Sequence, residues 1–465
     1  MVSHWLLDRL ELFNDRPALI WQGRPCSFEA LRQESLRWLR RLDEAGIAPG
    51  KVLAIVGDYS PNVCALLIAA IINRNIVVPL TTASVGQHDE FLRLSEAAVA
   101  IHIDDNDNAR FVRLKNIATH PLLRDMSARN DAGLILFSSG STGPSKATLL
   151  DFERLLARFA QVRTATRTLV FLQLDHIGGI NTLFHGLCNG GTIVATSLRS
   201  VDAVCAAIDD YQVELLPTTP TFLRMMMIAD AVQRHSLQSL RTVTYGTEPM
   251  PEATLAAARK SMPWLRFKQT YGLSELGILP TQSENSGSTW LKLGNDGFET
   301  RIVNGLLWIR SRSAMLGYLN APSPFDSDGW FNTQDEVEVR GDYVRILGRR
   351  SEIINVGGEK VHPSEVESVV LTMDNIRDAT VFGRANPVTG QIVCARVTLI
   401  RPEDTRDVKR RLRGFCASRL APYKIPALVE IVDGDQHNYR FKKMRDFGGA
   451  ALGQAAALGQ AALGH

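Results

Sequence analysis

Short apolar runs rich in β-branched residues alternate with amphipathic stretches through most of the chain. Residues 52–56 read as a buried strand, 61–72 as a helix and 76–79 as the next strand. The rhythm recurs: strands at 134–137, 192–195, 214–216, 242–245 and 265–270 alternate with helices at 201–210, 220–232 and 251–260. Such alternation predicts an α/β body with largely parallel sheets. From about Gly297 the texture changes to alternating strands at 299–303, 306–310 and 336–347, with turns at Asn304-Gly305 and Arg340-Gly341-Asp342. That pattern predicts a small antiparallel β sub-barrel or sheet. After Gly348-Arg349 a compact α+β piece follows, with strands at 352–355, 378–383 and 392–400, a helix opened by Pro363-Ser364 and another over 405–418. The expected division is a large domain over 1–350, a small mobile domain over 351–447, and an Ala/Gly/Leu/Gln-rich tail over 448–465 that resembles an appended linker outside the fold.

Composition narrows the function classes. The 465 residues carry 52 Lys+Arg against 49 Asp+Glu, a formal charge of +3. Spread over so long a chain, this gives no basic field for a nucleic-acid backbone, so small molecules are the expected partners. The six cysteines, Cys26, Cys64, Cys188, Cys205, Cys394 and Cys416, stand singly with no CxxC, as in a reduced, cytoplasmic protein. The first 20 residues carry Asp8, Glu11 and Asp15 and have no basic leader region, so no secretion signal is expected. The most apolar stretch, 63–80, is broken by Asn73-Arg74-Asn75, which argues against a membrane span.

The strongest local signal is Phe137-Ser138-Ser139-Gly140-Ser141-Thr142-Gly143-Pro144-Ser145-Lys146, directly after an apolar strand. Glycines let backbone N–H groups approach oxygens, hydroxyls donate, and the lysine supplies charge, so the segment suits phosphate. A Walker A loop would need Gly at Ser145, Ser or Thr at Ala147, and a helix beginning at the lysine. Taken alone, such a loop is more often an ordinary surface turn. Three further segments follow in order. These are Tyr271-Gly272-Leu273-Ser274-Glu275-Leu276-Gly277; then Asn332-Thr333-Gln334-Asp335 with Leu347-Gly348-Arg349-Arg350-Ser351-Glu352; and Asn355-Val356-Gly357-Gly358-Glu359-Lys360.

This ordered set resembles the adenylate-forming superfamily of acyl-CoA synthetases, aryl acid ligases, peptide-synthetase adenylation domains and firefly luciferase. The likeness covers nearly the whole chain, from Ser27-Phe28-Glu29 to Phe441-Lys442-Lys443-Met444-Arg445. It implies an ATP- and Mg²⁺-dependent enzyme that converts a carboxylic acid to an acyl-adenylate and then passes the acyl group to a thiol. The loop Ser138, Ser139, Gly140, Ser141, Thr142, Gly143 and Lys146 would surround the β- and γ-phosphates. Glu275 would hold the magnesium ion and Ser274 would touch the α-phosphate. Gly246, Thr247, Glu248 and Pro249 would form the adenine loop, with Tyr271 and Gly272 beside the base, and Asp335 and Arg349 would hold the ribose.

Lys442, with Lys443 as its rival, matches the lysine that opposes charge on the reacting carboxylate and α-phosphate. Phe441 stands where the pattern has glycine, and Gln334 where a glycine precedes the ribose aspartate. The segment with His176, Ile177 and Gly178 matches the acyl-pocket lining, together with Thr218, Tyr245 and Gly246. His176 fits a gate residue or a satisfied half-buried histidine. Ile177 stands where amino-acid-activating domains carry an aspartate for the α-ammonium, which favours fatty or aryl acids over α-amino acids. Gly357 and Gly358 would leave a path for a pantetheine thiol after the small domain rotates about Ser351, or would make a tight turn. Coenzyme A and a carrier-protein arm remain alternative acceptors, and a non-catalytic nucleotide-binding homologue is the more distant alternative.

Overall fold

The computed structural model describes residues 4–138, 145–196, 198–295, 297–438 and 440–445. These fall into two compact units that meet in sequence between Ile346 and Leu347. Among the described residues no helix is long and apolar enough to cross a membrane.

The first unit is built on two mixed sheets and one antiparallel sheet. In one mixed sheet, Val52–Val56, Ile76–Leu80, Val99–Ile103 and Gly133–Ser138 run parallel; Ala109–Arg113 adds an antiparallel edge on one side, and Lys146–Asp151 followed by Gly317–Tyr318 extends the other side antiparallel. Its strands are apolar on both faces, as expected where helices cover a sheet. The helix Pro61–Ile72 shows how local sequence sets an element: Ser60 accepts a hydrogen bond from the Val63 N–H at 3.1 Å, and Pro61 fills the first turn. The helix Phe28–Glu44 buries Leu31, Ser35, Trp38 and Leu42, a single stripe at helical spacing. Removing one large side chain of this kind from water contributes about 2–3 kcal/mol.

The second mixed sheet runs in the order Arg266–Gln269, Thr242–Tyr245, Leu215–Thr218, Arg167–Leu169, Thr192–Ala195, Pro17–Trp21, Arg24–Ser27. All neighbours are parallel except the last pair. Parallel strands all end at one sheet edge, and ligands in α/β folds gather outside the carboxyl ends. Six antiparallel strands between Thr281 and Arg349 form the third sheet.

In the second unit, Ile376–Asn386 and Gly390–Leu399 form a long hairpin, flanked by Ile354–Val356 and Leu428–Ile431. The helices Pro363–Val370 and Thr405–Ala417 close its core with Val366, Val370, Val408 and Leu412.

Two local expectations change. The helix expected over 220–232 stops at Ile228 because Asp230 adopts φ +49°, and a short turn of helix follows at Ala231–Arg234. The strand expected over 352–355 begins at Ile354, after a 3₁₀ turn at Arg350–Glu352.

Candidate functional site

Ser138 ends its strand in register with Lys146, which opens the antiparallel partner strand. The lysine therefore begins a strand rather than a helix, the feature that separates this loop from a Walker A loop. Ser139, Gly140, Ser141, Thr142 and Gly143 lie outside the described residues. Asn320 fixes the lysine's backbone from both sides: its Nδ2 donates to the Ser145 carbonyl at 2.8 Å and its Oδ1 accepts from the Ala147 N–H at 2.9 Å. The Lys146 side chain is exposed, and its Nζ lies 5.0 Å from the ring centroid of Tyr318. Tyr318 in turn donates its hydroxyl to Glu275 Oε1 at 2.8 Å. One tyrosine thus joins the lysine expected at the phosphates to the acidic residue expected at the metal.

Glu275 sits with Ser274 in the tight turn of the hairpin Tyr271–Leu273 and Gly277–Leu279. Gly277 has φ +82°, the left-handed geometry that ends a three-residue hairpin loop, and the Met315 N–H donates to the Glu275 carbonyl at 2.7 Å. A Cβ on Gly272 would come within 2.7 Å of the Gly277 carbonyl, so this hairpin admits only glycine there. Among the described residues no group of three or more His, Cys, Asp or Glu could hold a metal. A single oriented carboxylate is instead the kind of ligand set with which Mg²⁺ binds together with substrate phosphates.

Asp335 lies on Phe331–Arg340 at a bulge, where the partner strand advances from Leu306 to Trp308 while this strand runs from Asn332 to Glu336. Bulges re-aim side chains. The Asp335 N–H donates to Thr333 Oγ1 at 3.1 Å, and Tyr271 donates its hydroxyl to Asp335 Oδ2 at 2.5 Å. The two expected ribose and base residues are therefore in direct contact. Gln334 holds φ +61°, which explains the glycine usual at this step of the pattern.

At the expected acyl pocket, His176 caps the helix Ile177–Cys188, its Nδ1 accepting from the Gly178 N–H at 3.0 Å. The preceding loop is clamped. Tyr59 donates to the Leu172 carbonyl at 2.8 Å, Arg199 donates to the Phe171 carbonyl at 3.0 Å while paired bidentately with Asp58, and Thr81 donates to Asp175 Oδ2 at 3.1 Å. Asp175 thus faces Thr81, and Ile177 is buried.

Thr218 and Tyr245 end adjacent parallel strands in register. Gly246 passes so close to Thr270 that a Cβ would lie 2.6 Å from its Oγ1. Thr247 follows at φ +73°, and Glu248 leads into Pro249 while its Oε1 accepts from the Thr221 N–H at 2.9 Å and the Thr221 hydroxyl at 2.5 Å. Glu248 therefore anchors the loop on the first turn of the helix Pro220–Ile228.

Arg349 is exposed at the end of the strand Tyr343–Arg349, which runs across the boundary into the second unit. Gly357 and Gly358 form the two-residue turn between Ile354–Val356 and Glu359–Val361, with φ +61° and +93°, the signature of a type I′ hairpin. Lys442 lies in a loop closed on Asn438, which donates its N–H to the Lys442 carbonyl at 2.9 Å and accepts the Lys442 N–H at 3.2 Å. Its rival is committed elsewhere: Lys443 is 6% exposed, pairs with Asp378 Oδ1 at 3.0 Å and also donates to the Ala379 carbonyl. Arg445 pairs with buried Glu367 at 2.9 Å and with Glu352 at 3.0 Å.

The sequence reading missed Tyr318, Asn320 and Gln269. The visible signal for Tyr318 is that a buried tyrosine needs a partner for its hydroxyl; no local pattern names Glu275 as that partner.

Comparison with known proteins agrees with this layout. Residues 7–319 match the AMP-binding enzyme family, and residues 365–442 match the AMP-binding enzyme C-terminal domain. A 2-succinylbenzoate–CoA ligase of Bacillus licheniformis is 29% identical, covering 95% of this chain and 98% of its own. A fatty acid–[acyl-carrier-protein] ligase of Streptomyces coeruleorubidus is 25% identical over 92% of each chain. The crystal structure of an anthranilate CoA ligase in complex with anthranoyl-AMP matches with TM-score 0.81 at 20% identity, covering 98% of this chain and 97% of that one. With most of its first unit and much of its second matched, the chain belongs to the AMP-binding enzyme family.

Proposed function

We propose that this chain is an ATP-dependent acid:thiol ligase that activates a fatty or aryl carboxylic acid and transfers it to coenzyme A. The observation that carries the reading is the arrangement of Lys146, Tyr318 and Glu275 within a chain of this family. In the first step a carboxylate oxygen bonds to the α-phosphorus of ATP and the bond to pyrophosphate breaks. In the second the thiol sulfur bonds to the acyl carbon, AMP leaves, and the thiol proton passes to solvent. Lys146 faces the anionic phosphates, Tyr271 and Asp335 hold the nucleoside, and Lys442 supplies the cation that meets charge developing in the first step. The buried ion pair of Lys443 supports the choice of Lys442. Glu275 would hold Mg²⁺, which supplies charge neutralisation on the phosphates when bound. Ile177 in the position where an aspartate would meet an α-ammonium, with Asp175 Oδ2 held by Thr81, supports acids without an α-amino group.

The domain division near residue 350 and a cytoplasmic location belong to the same reading; all six cysteines are free thiols, and burial pushes that of Cys188 up to about 12. The carrier-protein acceptor is kept as a second reading because one relative is named for it. The test is acid-dependent ATP–pyrophosphate exchange over fatty and aryl acids, followed by mass detection of the thioester with coenzyme A or with a phosphopantetheinylated carrier protein. ATP binding without exchange for any acid would leave a nucleotide-binding protein instead.

A further inference from the structure

Three parallel strands of the second mixed sheet end in one polar row. Thr218 pairs in register with Tyr245, and Tyr245 with Gln269. Residues in register on parallel neighbours point to the same face. Along each strand that face also carries Leu216, Val243 and Phe267, all buried, whereas the opposite face is half-buried or exposed at Thr242, Thr244, Arg266 and Lys268. The row is itself buried: Thr218 is 2%, Tyr245 1% and Gln269 6% exposed. Yet Thr218 Oγ1, the Tyr245 hydroxyl and Gln269 Oε1 find no hydrogen-bond partner among the described residues. Buried polar atoms are nearly always paired, and an orphan is costly. Three of them aligned at the carboxyl ends of adjacent parallel strands mark a place where a ligand completes the structure.

The chemistry of the row limits that ligand. Gln269 turns the acceptor Oε1 of its carboxamide into the row and the two hydroxyls can donate or accept, so a group that donates a proton completes all three. Burial pushes the Tyr245 phenol up, so it stays neutral. A second carboxylate has no proton to give Gln269 and meets no cation in the row. We infer that the acid this enzyme activates carries, besides its carboxylate, an uncharged hydrogen-bond-donating substituent, a hydroxyl or arylamine, received by Thr218, Tyr245 and Gln269. The inference rests on the ligase reading for the identity of the ligand as the acid. It sets this chain apart from a ligase for a dicarboxylic acid.

The test uses matched acids on the full-length protein: fatty and aryl parents, their hydroxylated and amino derivatives, methoxy derivatives that accept but cannot donate, and 2-succinylbenzoate. Both pyrophosphate exchange and equilibrium binding are measured. The expected best substrate is a hydroxylated or amino acid, favoured over its parent and methoxy analogue by about 10²–10⁴ in kcat/KM, because a site built for a hydrogen bond rejects the analogue that lacks it. Tyr245→Phe and Gln269→Leu should each shrink that preference at least tenfold. Preference for a parent, a methoxy acid or 2-succinylbenzoate overturns the inference while leaving the ligase reading intact. Binding preference without exchange for any acid supports the row and removes the ligase reading; absence of binding by every donor-bearing acid overturns the row. A readout without ligand is also decisive: Tyr245→Phe should leave the melting temperature unchanged or raised, and a drop of several degrees would show that the hydroxyl is already engaged.

Discussion

The charged groups of the two units are fixed in different ways. In the first unit the carboxylates are held directly: Tyr318 donates to Glu275 at 2.8 Å and Tyr271 to Asp335 at 2.5 Å. In the second, Lys443 and Arg445 are tied into ion pairs with Asp378, Glu367 and Glu352. A carboxylate whose oxygen already accepts a hydroxyl loses little freedom on meeting a ligand, which is preorganisation. Asn438 places the Lys442 backbone, and the ion pairs of Lys443 and Arg445 anchor the same loop. Substitutions should therefore separate rate from stability within the lysine loop of the second unit.

The largest effects test that separation. Glu275→Ala and Lys442→Ala should each lower pyrophosphate exchange of the folded protein by about 10²–10³, the scale of losing one preplaced charge stabiliser. Lys443→Ala should instead cost about 3 kcal/mol of stability, because Asp378 is left largely buried without its cation. Denaturant unfolding followed by exchange activity of the folded fraction distinguishes them. If Lys443→Ala stops exchange in stably folded protein while Lys442→Ala does not, the lysine is assigned one residue out of register.

A smaller effect probes the link within the first unit. Tyr318→Phe removes the hydroxyl from Glu275 but keeps the ring under Lys146. The loss of one hydrogen bond to a charged group is worth about 1.5–3 kcal/mol, so exchange should slow roughly ten- to a hundredfold. The magnesium concentration for half-maximal rate should rise as well. An unchanged magnesium dependence would detach Tyr318 from the acidic residue's role.

These contacts also mark the limit of what the sequence makes legible. Elements governed by short-range rules are readable at their limits: Val52–Val56, Pro61–Ile72, Val201–Asp210 and Thr242–Tyr245 follow from apolar runs, serine caps and N-terminal proline. The helix Ile177–Cys188 is not, because two glycines in its first turn argue against helix. Packing reverses that preference, since a Cβ on Gly179 would lie 1.9 Å from the Gln173 carbonyl. Motif order exposes Lys146, Glu275 and Asp335 as candidates. What joins them, Tyr318 to Glu275 and the row from Thr218 to Gln269, depends on which distant strands become neighbours, and strand register across a sheet is not written in any local pattern.

The smallest effects concern the two places where this chain replaces the glycine of its family's pattern, one in each unit. Gln334 adopts φ +61° at the bulge that carries Asp335, and Phe441 adopts φ +53° immediately before Lys442. A side chain in the left-handed region costs about 1–2 kcal/mol. Returning glycine removes that cost but loosens the unfolded chain by about 0.4–1 kcal/mol, so Gln334→Gly and Phe441→Gly should stay within about 1 kcal/mol of the parent. Valine, branched at Cβ, should destabilise both positions by about 1–3 kcal/mol. The two units should then part company in function. Gln334→Val tilts the bulge that aims Asp335, so the KM for ATP should rise several-fold with little change in kcat. Phe441→Val displaces Lys442, so kcat of exchange should fall with little change in that KM. Urea midpoints and ATP titrations of the four variants check both halves, and equal KM shifts from the two valine variants would show that the bulge and the lysine loop do not divide binding from chemistry.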